Sequence, residues 1–294
     1  MRQMTDPSRS PGKRPAVEID DRTIGRILRD MGKLKPADEP RVFQLHREKT
    51  IRFGEAARRL RLVSNADIQY ALSVQFGLPY VYGAHGGLSE ELLAAHDPFA
   101  QQLEALRDLR TQLLLHWFSE ERRRLAIVST DPGDGRSYIA ANLAVLFAQL
   151  GERTLLIDAD LRFPRQHRIF RLMAGRGLAH ALYARGAAGE AEKVPYFENL
   201  FVLSAGAVPP NPSELVSRPG LAELLQQAAR NYAVVLIDTP AWVRGSDAQL
   251  IAARAGGALL VARHNRTRLG PLRQLQEAIV RGGAQIAGAV LNSA

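Results

Sequence analysis

The stretch "LAIVSTDPGDGRSYIAANLAVLFAQLG" (residues 125–151) decides the fold. A short apolar run, "LAIVS", runs into a loop of small residues. That loop opens directly into a long apolar segment with helical propensity, "SYIAANLAVLFAQL". Strand, glycine-containing loop and helix in that order is the context of a phosphate-binding loop, G-x-x-x-x-G-K-[ST]. Gly133 and Gly135 permit the tight turns that aim backbone amides at phosphate oxygens, and the helix N-terminus adds partial positive charge. Ser137 supplies a hydroxyl suited to Mg²⁺. Gly133, Asp134, Gly135, Arg136, Ser137 and Tyr138 are therefore the candidate nucleotide-binding residues, with ATP and Mg²⁺ as ligands. Two positions depart from the pattern: Thr130 stands at the first Gly and Arg136 at the Lys. A planar guanidinium replaces a compact ammonium. It can hold phosphate bidentately, so Arg136 is also a candidate for stabilising phosphoryl transfer.

Downstream, the apolar runs "TLLID", "LFVLS", "AVVLID", "ALLVAR" and "IAGAVL" follow "LAIVS", most of them separated by helical stretches. Continuous apolar strands alternating with helices predict a mostly parallel sheet covered on both faces, an α/β domain over 119–294. Two strands end in acids: "TLLIDADLR" with Asp158 and Asp160, "VVLIDTP" with Asp238. The carboxyl edge of a parallel sheet is where ligands bind. Ser137, Asp158 and Asp238 are the candidate metal ligands. Asp158 or Asp160 is positioned to accept a proton from an attacking hydroxyl.

Upstream lies "DPFAQQLEALRDLRTQLLLHWF" (97–118), which reads as a helix capped by Asp97 with Pro98 in its first turn. Glu104, Arg107 and Arg110 recur every third residue and share a face, either solvated or an interface. Residues 22–82 hold a weak internal repeat. Aligning Thr23 with Arg52 brings Ile24 onto Phe53, Gly25 onto Gly54, Leu34 onto Val63 and Asp38 onto Asp67. Each half has helical spacing interrupted by a turn, which predicts a small helical domain. "FGLPYVYGAHGG" reads as its end, and 83–118 as linker plus helix. Residues 1–21 are rich in Pro, Ser and Arg, without an apolar core, and read as a disordered tail rather than a secretory signal.

The 294 residues contain no cysteine, which excludes disulfides, zinc–thiolate sites and thiol nucleophiles. No apolar run approaches the roughly 20 residues that span a bilayer. Net charge is +9 (39 basic, 30 acidic residues), and "ERRRLAIV" (121–128) is the one tight basic run. Such a balance suits nucleic acid, an anionic membrane face, acidic partners, or simply a basic surface.

Taken together, "GDGRS", "LLIDADLR", "NLFVLSAGAVPPNPSELVSRPGLAELL" and "VVLIDTPAW" resemble the bacterial tyrosine kinases of exopolysaccharide and capsule synthesis, a branch of the P-loop ATPases. "AGAVPPNPSELVS" (205–217) is the most specific element, and the resemblance covers about residues 97–292. It implies a P-loop NTPase fold and ATP-dependent tyrosine phosphorylation that regulates polymer chain length and export. It implies Mg²⁺ and catalytic roles for Asp158, Asp160 and Asp238. Glu104-x-x-Arg107-x-x-Arg110 is similar to the E-x-x-R-x-x-R element through which family members form rings, which implies a homo-oligomer. The chain most resembles the cytoplasmic chain-length-determinant kinases, which have no membrane span and work beside a separate membrane co-polymerase. Family members end in a tyrosine-rich tail; here the last tyrosine is Tyr232, so tail autophosphorylation is not expected. Tyr80 and Tyr82 are the internal candidates for modification, or else pack on the helical domain. A nucleotide-binding scaffold is the alternative to a kinase, because of Arg136. Partitioning ATPases carry a signature Lys where Asp131 stands, so nucleic acid is not an expected partner. Residues 23–75 resemble the N-terminal domain of type II secretion and pilus assembly ATPases. That implies a protein-docking module, or a cyclic di-GMP site using Arg52, Gly54 and Gln75. Against the second reading, Arg61 stands at a usual Gly, and Thr23 and His46 stand where Arg and Gln belong.

Overall fold

The computed structural model describes residues 23–77, 79, 81, 87–97, 99–173, 175–184 and 190–293. The 1–21 tail, Tyr80, Tyr82 and Pro98 lie outside the described residues. The chain forms two units, divided between Leu78 and Pro79.

Among the described residues, the first unit holds four α-helices: α1 (Ile24–Asp30), α2 (Glu39–Lys49), α3 (Phe53–Arg59) and α4 (Asn65–Gln75). The internal repeat has a direct structural expression. A side chain at Gly25 would meet the Phe53 ring at 3.2 Å, and one at Gly54 would meet Ile24 at 3.3 Å and Ile68 at 3.2 Å. The repeat partners Ile24–Phe53 and Gly25–Gly54 thus pack reciprocally, each glycine receiving the other half's apolar side chain. Leu34 and Val63, also repeat partners, are both buried in the core of this unit. The halves differ at their second helices. Ser64 and Asp67 form a reciprocal capping box, whereas Asp38 makes no side-chain cap.

In the second unit, α5 (Leu93–His96) and α6 (Glu104–His116) precede β1 (Arg124–Val128) and α7 (Arg136–Gln149). Then come β2 (Thr154–Asp158), α8 (Gln166–Ile169), α9 (Leu178–Tyr183), β3 (Glu192–Lys193) and β4 (Leu200–Leu203). The chain continues through α10 (Pro212–Ser217), α11 (Pro219–Asn231), β5 (Val234–Asp238), α12 (Asp247–Ala255), β6 (Gly257–Arg263), α13 (Leu269–Arg281) and β7 (Gln285–Asn292). The strands form one sheet in the order β3-β4-β2-β5-β1-β6-β7, all parallel except the two-residue edge strand β3.

Alternate strand residues enter two different cores. Leu125, Ile127, Leu156 and Leu236 face α7, while Ala126, Val128, Ile157 and Ile237 face the α9–α13 side. This double burial is why the strands read as unbroken apolar runs. Helix α7 is buried on nearly every side, from Ile139 to Ala148, as expected of a helix apolar all round.

The helix expected over 97–118 begins instead at Glu104, after a 3₁₀ turn at Gln101–Leu103. Asp97 does not cap it; its carboxylate accepts the Phe99 amide two residues on (3.3 Å), a local turn. Residues 88–96, read as linker from the sequence, are bound into the α/β core, and so is the 99–103 start of the expected helix. Leu88, Leu92 and Leu103 are buried there. Asn142 of α7 accepts the Ala94 amide (2.9 Å) and donates to the Glu91 carbonyl (2.9 Å).

Candidate functional site

The site is assembled at the carboxyl ends of β1, β2 and β5. Neighbouring strands place Asp158 and Asp238 side by side in register, and β1 delivers the loop 129–136 beside them. Gly133 and Gly135 take positive φ, +83° and +101°. A side chain at Gly135 would also have to displace the Asn292 amide, because its Cβ would lie 2.1 Å from Asn292 Nδ2. That amide donates to the Asp134 carbonyl (3.0 Å), so the end of β7 clasps the loop.

Asp134 faces inward. Its carboxylate is fully buried, accepting the Asp131 amide (3.0 Å) and the Thr267 hydroxyl (3.1 Å). The side chain braces the loop, which leaves only its backbone directed to a ligand. Arg263 Nη1 adds a bond to the Gly133 carbonyl (3.0 Å). The Tyr138 ring packs against the core that contains α7, and partial burial pushes its phenol pKa up.

Arg136 folds back into the loop rather than reaching outward. Its Nε donates to the Thr239 carbonyl (2.9 Å), and its Nη1 donates to Ser129 Oγ and to the Asp131 carbonyl (3.0 Å). A guanidinium has five N–H donors, and Nη2 takes no partner among the described residues. Arg136 therefore ties the loop to the end of β5 and keeps one nitrogen for a ligand.

The three acids divide by environment. Asp158 Oδ2 accepts the Arg165 and Gln166 amides, both at 2.9 Å, while Oδ1 faces the Asp160 amide (3.3 Å). Burial, and next the Asp238 charge, still hold its pKa well above the usual carboxylate range. Asp238 is raised as well, by burial first, with Arg136, Ser137 and Gln166 pulling against it. Asp238 Oδ2 accepts from Gln166 Nε2 (2.8 Å), but Oδ1 is buried with no hydrogen-bond partner among the described residues, as is Gln166 Oε1. Asp160 Oδ1 accepts the Arg162 (3.2 Å) and Phe163 (2.9 Å) amides.

Two buried carboxylates, an orphaned carboxylate oxygen and the adjacent Ser137 hydroxyl fit a divalent cation, which would relieve the like-charge repulsion. Among the described residues no group of three or more His, Cys, Asp or Glu side chains is arranged to hold a metal alone. Mg²⁺ usually keeps several waters and takes one or two carboxylates plus substrate phosphates, so a partial ligand set suits it.

Several supports escape sequence reading. Gln166 bridges Asp238 to the Ser137 carbonyl (3.2 Å) from the first turn of α8. Arg162 joins Ser213 (2.7 Å) to Asp247 (3.3 Å), tying the "DADLR" and "PPNPSELVS" segments together.

The helix trio is split. Glu104 pairs with Arg107 on the surface, while Arg110 Nη1 donates to the Leu146 carbonyl at the end of α7 (3.2 Å). Half-burial, then the Arg107 charge, lower the Arg110 pKa, and its Nε has no hydrogen-bond partner among the described residues. In the helical unit, Gly54 is taken up by helix packing, Arg52 precedes α3, and Gln75 ends α4.

No protein-family profile matches the chain. Individual relatives do. Tyrosine-protein kinase YwqD of Bacillus subtilis (strain 168) is 34% identical over 205 residues, covering 70% of this chain and 86% of its own length. A putative tyrosine-protein kinase in the cps region of Klebsiella pneumoniae is 33% identical over 201 residues, 68% of this chain but 28% of its own length. Among solved structures, the kinase domain of Escherichia coli tyrosine kinase ETK superposes with a TM-score of 0.66 at 32% identity, covering 69% of this chain and 79% of that one. The septum site-determining protein MinD from Pyrococcus horikoshii OT3, complexed with Mg-ADP, shares the fold at a TM-score of 0.51 and 25% identity over 57% of this chain and 69% of that one. The loop, the paired strand-end acids and these likenesses agree: the chain belongs to the bacterial tyrosine-protein kinases, a P-loop branch of the α/β NTPases.

Proposed function

We propose that the protein is an ATP-dependent protein-tyrosine kinase of P-loop type that regulates exopolysaccharide polymerisation and export. The observation that carries this reading is the lateral pairing of Asp158 and Asp238 beside Ser137 and the phosphate loop. Backbone amides of 133–137 and the start of α7 receive the phosphates. Ser137, Asp158 and Asp238 would hold Mg²⁺, which when bound would supply neutralisation of phosphate charge. Asp160 is the acceptor for the tyrosyl proton, because its Oδ1 is occupied by backbone amides and Oδ2 has no hydrogen bond among the described residues. The tyrosyl oxygen bonds to the γ-phosphorus, the bond from that phosphorus to the β–γ bridging oxygen breaks, the proton passes to Asp160, and ADP leaves. Arg136 Nη2 meets the charge that develops on the moving phosphoryl group.

The polysaccharide role rests on the family resemblance and on the cps-region relative. Among the described residues no helix is long and apolar enough to cross a membrane. We place the protein in the cytoplasm at the inner membrane, held there by a separate membrane co-polymerase, with the helical unit as the docking module. Oligomerisation through α6 would exchange the Glu104–Arg107 pair within one chain for pairing between chains. Glu104→Arg then puts repulsion at that contact, and light scattering should show a smaller assembly than wild type. An unchanged assembly removes α6 from the interface.

Incubation with Mg-ATP and a tyrosine-containing peptide, read by mass spectrometry, tests the reaction. Phosphotyrosine should form with wild type and not with Asp160→Asn. Normal Mg-ADP binding without transfer, even with membrane-partner fragments present, would favour a nucleotide-binding scaffold.

A further inference from the structure

Two loops meet at the rim of this site in a way the phosphate chemistry does not use. Phe163 comes directly after the β2 acids, and its own amide donates to Asp160 Oδ1 (2.9 Å). The loop after β5 is stitched to the opposite side: the Trp242 and Val243 amides donate to the Ser129 and Thr130 carbonyls, both at 3.0 Å. From that loop the Arg244 guanidinium carbon lies 3.6 Å over the Phe163 ring. Phe163 is 57% exposed and Val243 65% exposed. Arg244 has no carboxylate partner among the described residues. The result is a small apolar shelf with a stacked cation, joined by backbone hydrogen bonds to both the phosphate loop and Asp160.

We infer that Phe163 and Arg244 are the acceptor-binding residues, and that the acceptor is a tyrosine-bearing segment with acidic side chains next to its tyrosine. The inference rests on the kinase reading above. A tyrosine that brings its hydroxyl to Asp160 lays its ring and backbone beside Phe163, because the Phe163 amide is bonded to that same carboxylate. Aromatic rings pack there in offset or edge-to-face geometry. Arg244 already uses its face on the ring, and its edge N–H groups remain for a carboxylate, the planar fork that suits bidentate recognition. Charge points the same way. The chain carries a net charge of +9. The nearby acids Asp158, Asp160 and Asp238 are buried, so the rim presents the Arg244 cation to an arriving peptide. A lysine-flanked tyrosine meets repulsion.

The test uses the full chain with Mg-ATP and two synthetic peptides of equal length, one with glutamates flanking its tyrosine and one with lysines. Wild type should phosphorylate the acidic peptide with about tenfold higher kcat/KM, the equivalent of one charge-assisted contact. Phe163→Ala should raise KM for the acidic peptide about tenfold more than it lowers kcat. Arg244→Ala should abolish the preference and Arg244→Glu reverse it, with calorimetric Mg-ADP affinity at the wild-type value as the check on folding. Arg244→Lys should keep a reduced preference of the same sign. If wild type phosphorylates both peptides and Arg244→Glu leaves their ratio unchanged, the acceptor assignment is overturned while the kinase reading stands. If wild type phosphorylates neither while binding Mg-ADP, the kinase reading falls and this inference with it.

Discussion

In the helical unit, Arg59 reaches Glu55 at 3.0 Å and Arg29 reaches Glu39 at 3.1 Å, all on partly or largely exposed side chains. In the α/β unit, Asp158 and Asp238 sit side by side, fully buried and of like sign. Pairs of the first kind contribute about 0.2–1 kcal/mol each and are screened by salt. The second arrangement opposes folding, since burial and repulsion both disfavour the charged forms. Opposite charges paired in water mark a unit built for stability and surface display. Like charges held together away from water mark a place where a third, positive group is to arrive. The contrast is what singles out the ends of β2 and β5 as the candidate site before any comparison with relatives.

The sharpest way to break that contrast is to remove the cation's side of it. Ser137→Ala should cut Mg²⁺-dependent phosphotyrosine formation on the order of 10²–10³-fold, the usual effect of deleting one preorganised transition-state contact. It should also weaken Mg-ADP more than metal-free ADP by calorimetry. Equal weakening with and without Mg²⁺ would take Ser137 out of the metal site. Arg136 comes next. Arg136→Ala should lower turnover more deeply than nucleotide affinity, because transfer depends on charge placed at the moving phosphoryl group. The structure adds a second effect: three hydrogen bonds to Thr239, Ser129 and Asp131 disappear with the side chain. Thermal stability should fall too, and Arg136→Lys should recover turnover more fully than stability.

A subtler test turns the cost of the buried acids into a gain. Asp238→Asn removes one of two like charges and keeps the shape. In metal-free buffer the variant should melt a few degrees above wild type, while losing most Mg²⁺-dependent turnover. The folded-state pKa of Asp238 is raised. The wild type therefore binds more protons folded than unfolded, and its stability falls as pH rises between the unfolded and folded values. The advantage of Asp238→Asn should be absent at pH below the ordinary carboxylate range and grow as pH rises through it. A variant less stable than wild type at neutral pH would show that the Asp238 bonds outweigh its repulsion.

How far the sequence carries differs between the units and within the site. Five of the six long strands, β1, β2, β4, β5 and β6, are legible because both their faces are largely buried, which writes each as an unbroken apolar run; the edge strand β7 is only partly buried and is legible from its apolar composition alone. The edge strand β3 is two residues, Glu192 and Lys193, held by backbone pairing alone, and no side-chain pattern records it. Phosphate loop, Asp158 and Asp238 are legible because each follows a strand and the motif is local. Gln166, Thr267 and Asn292 are not, since they reach partners 29 to 158 residues away with common amides and hydroxyls. One clue was present for Asn292: it ends the last apolar run, on the edge where Asp158 and Asp238 end theirs. The split of Glu104, Arg107 and Arg110 was hidden for a different reason. Three-residue spacing gives a shared face but drifts around the helix, enough to turn Arg110 toward α7.

The smallest expected effect lies in the helical unit and probes whether its stability is separable from catalysis. Ser64 Oγ accepts the Asp67 amide at 3.1 Å, and Asp67 Oδ2 accepts the Ser64 amide at 2.7 Å. Ser64→Ala removes the N-cap acceptor of α4, which should cost about 1 kcal/mol of that unit's stability. Gly54→Ala attacks the same unit at its repeat contact, where a new methyl group would press on Ile24 and Ile68 at 3.2–3.3 Å. Such contacts are relieved by small side-chain shifts, and alanine also favours the helix over glycine, so the net change should be under about 1 kcal/mol. Neither variant should alter peptide phosphorylation or Mg-ADP affinity. Hydrogen exchange would report the loss as faster exchange confined to 23–77, with the amides of β1, β2 and β5 unchanged. A matching loss of protection in those strands would mean the two units unfold as one, and the contrast between them would hold for charge but not for stability.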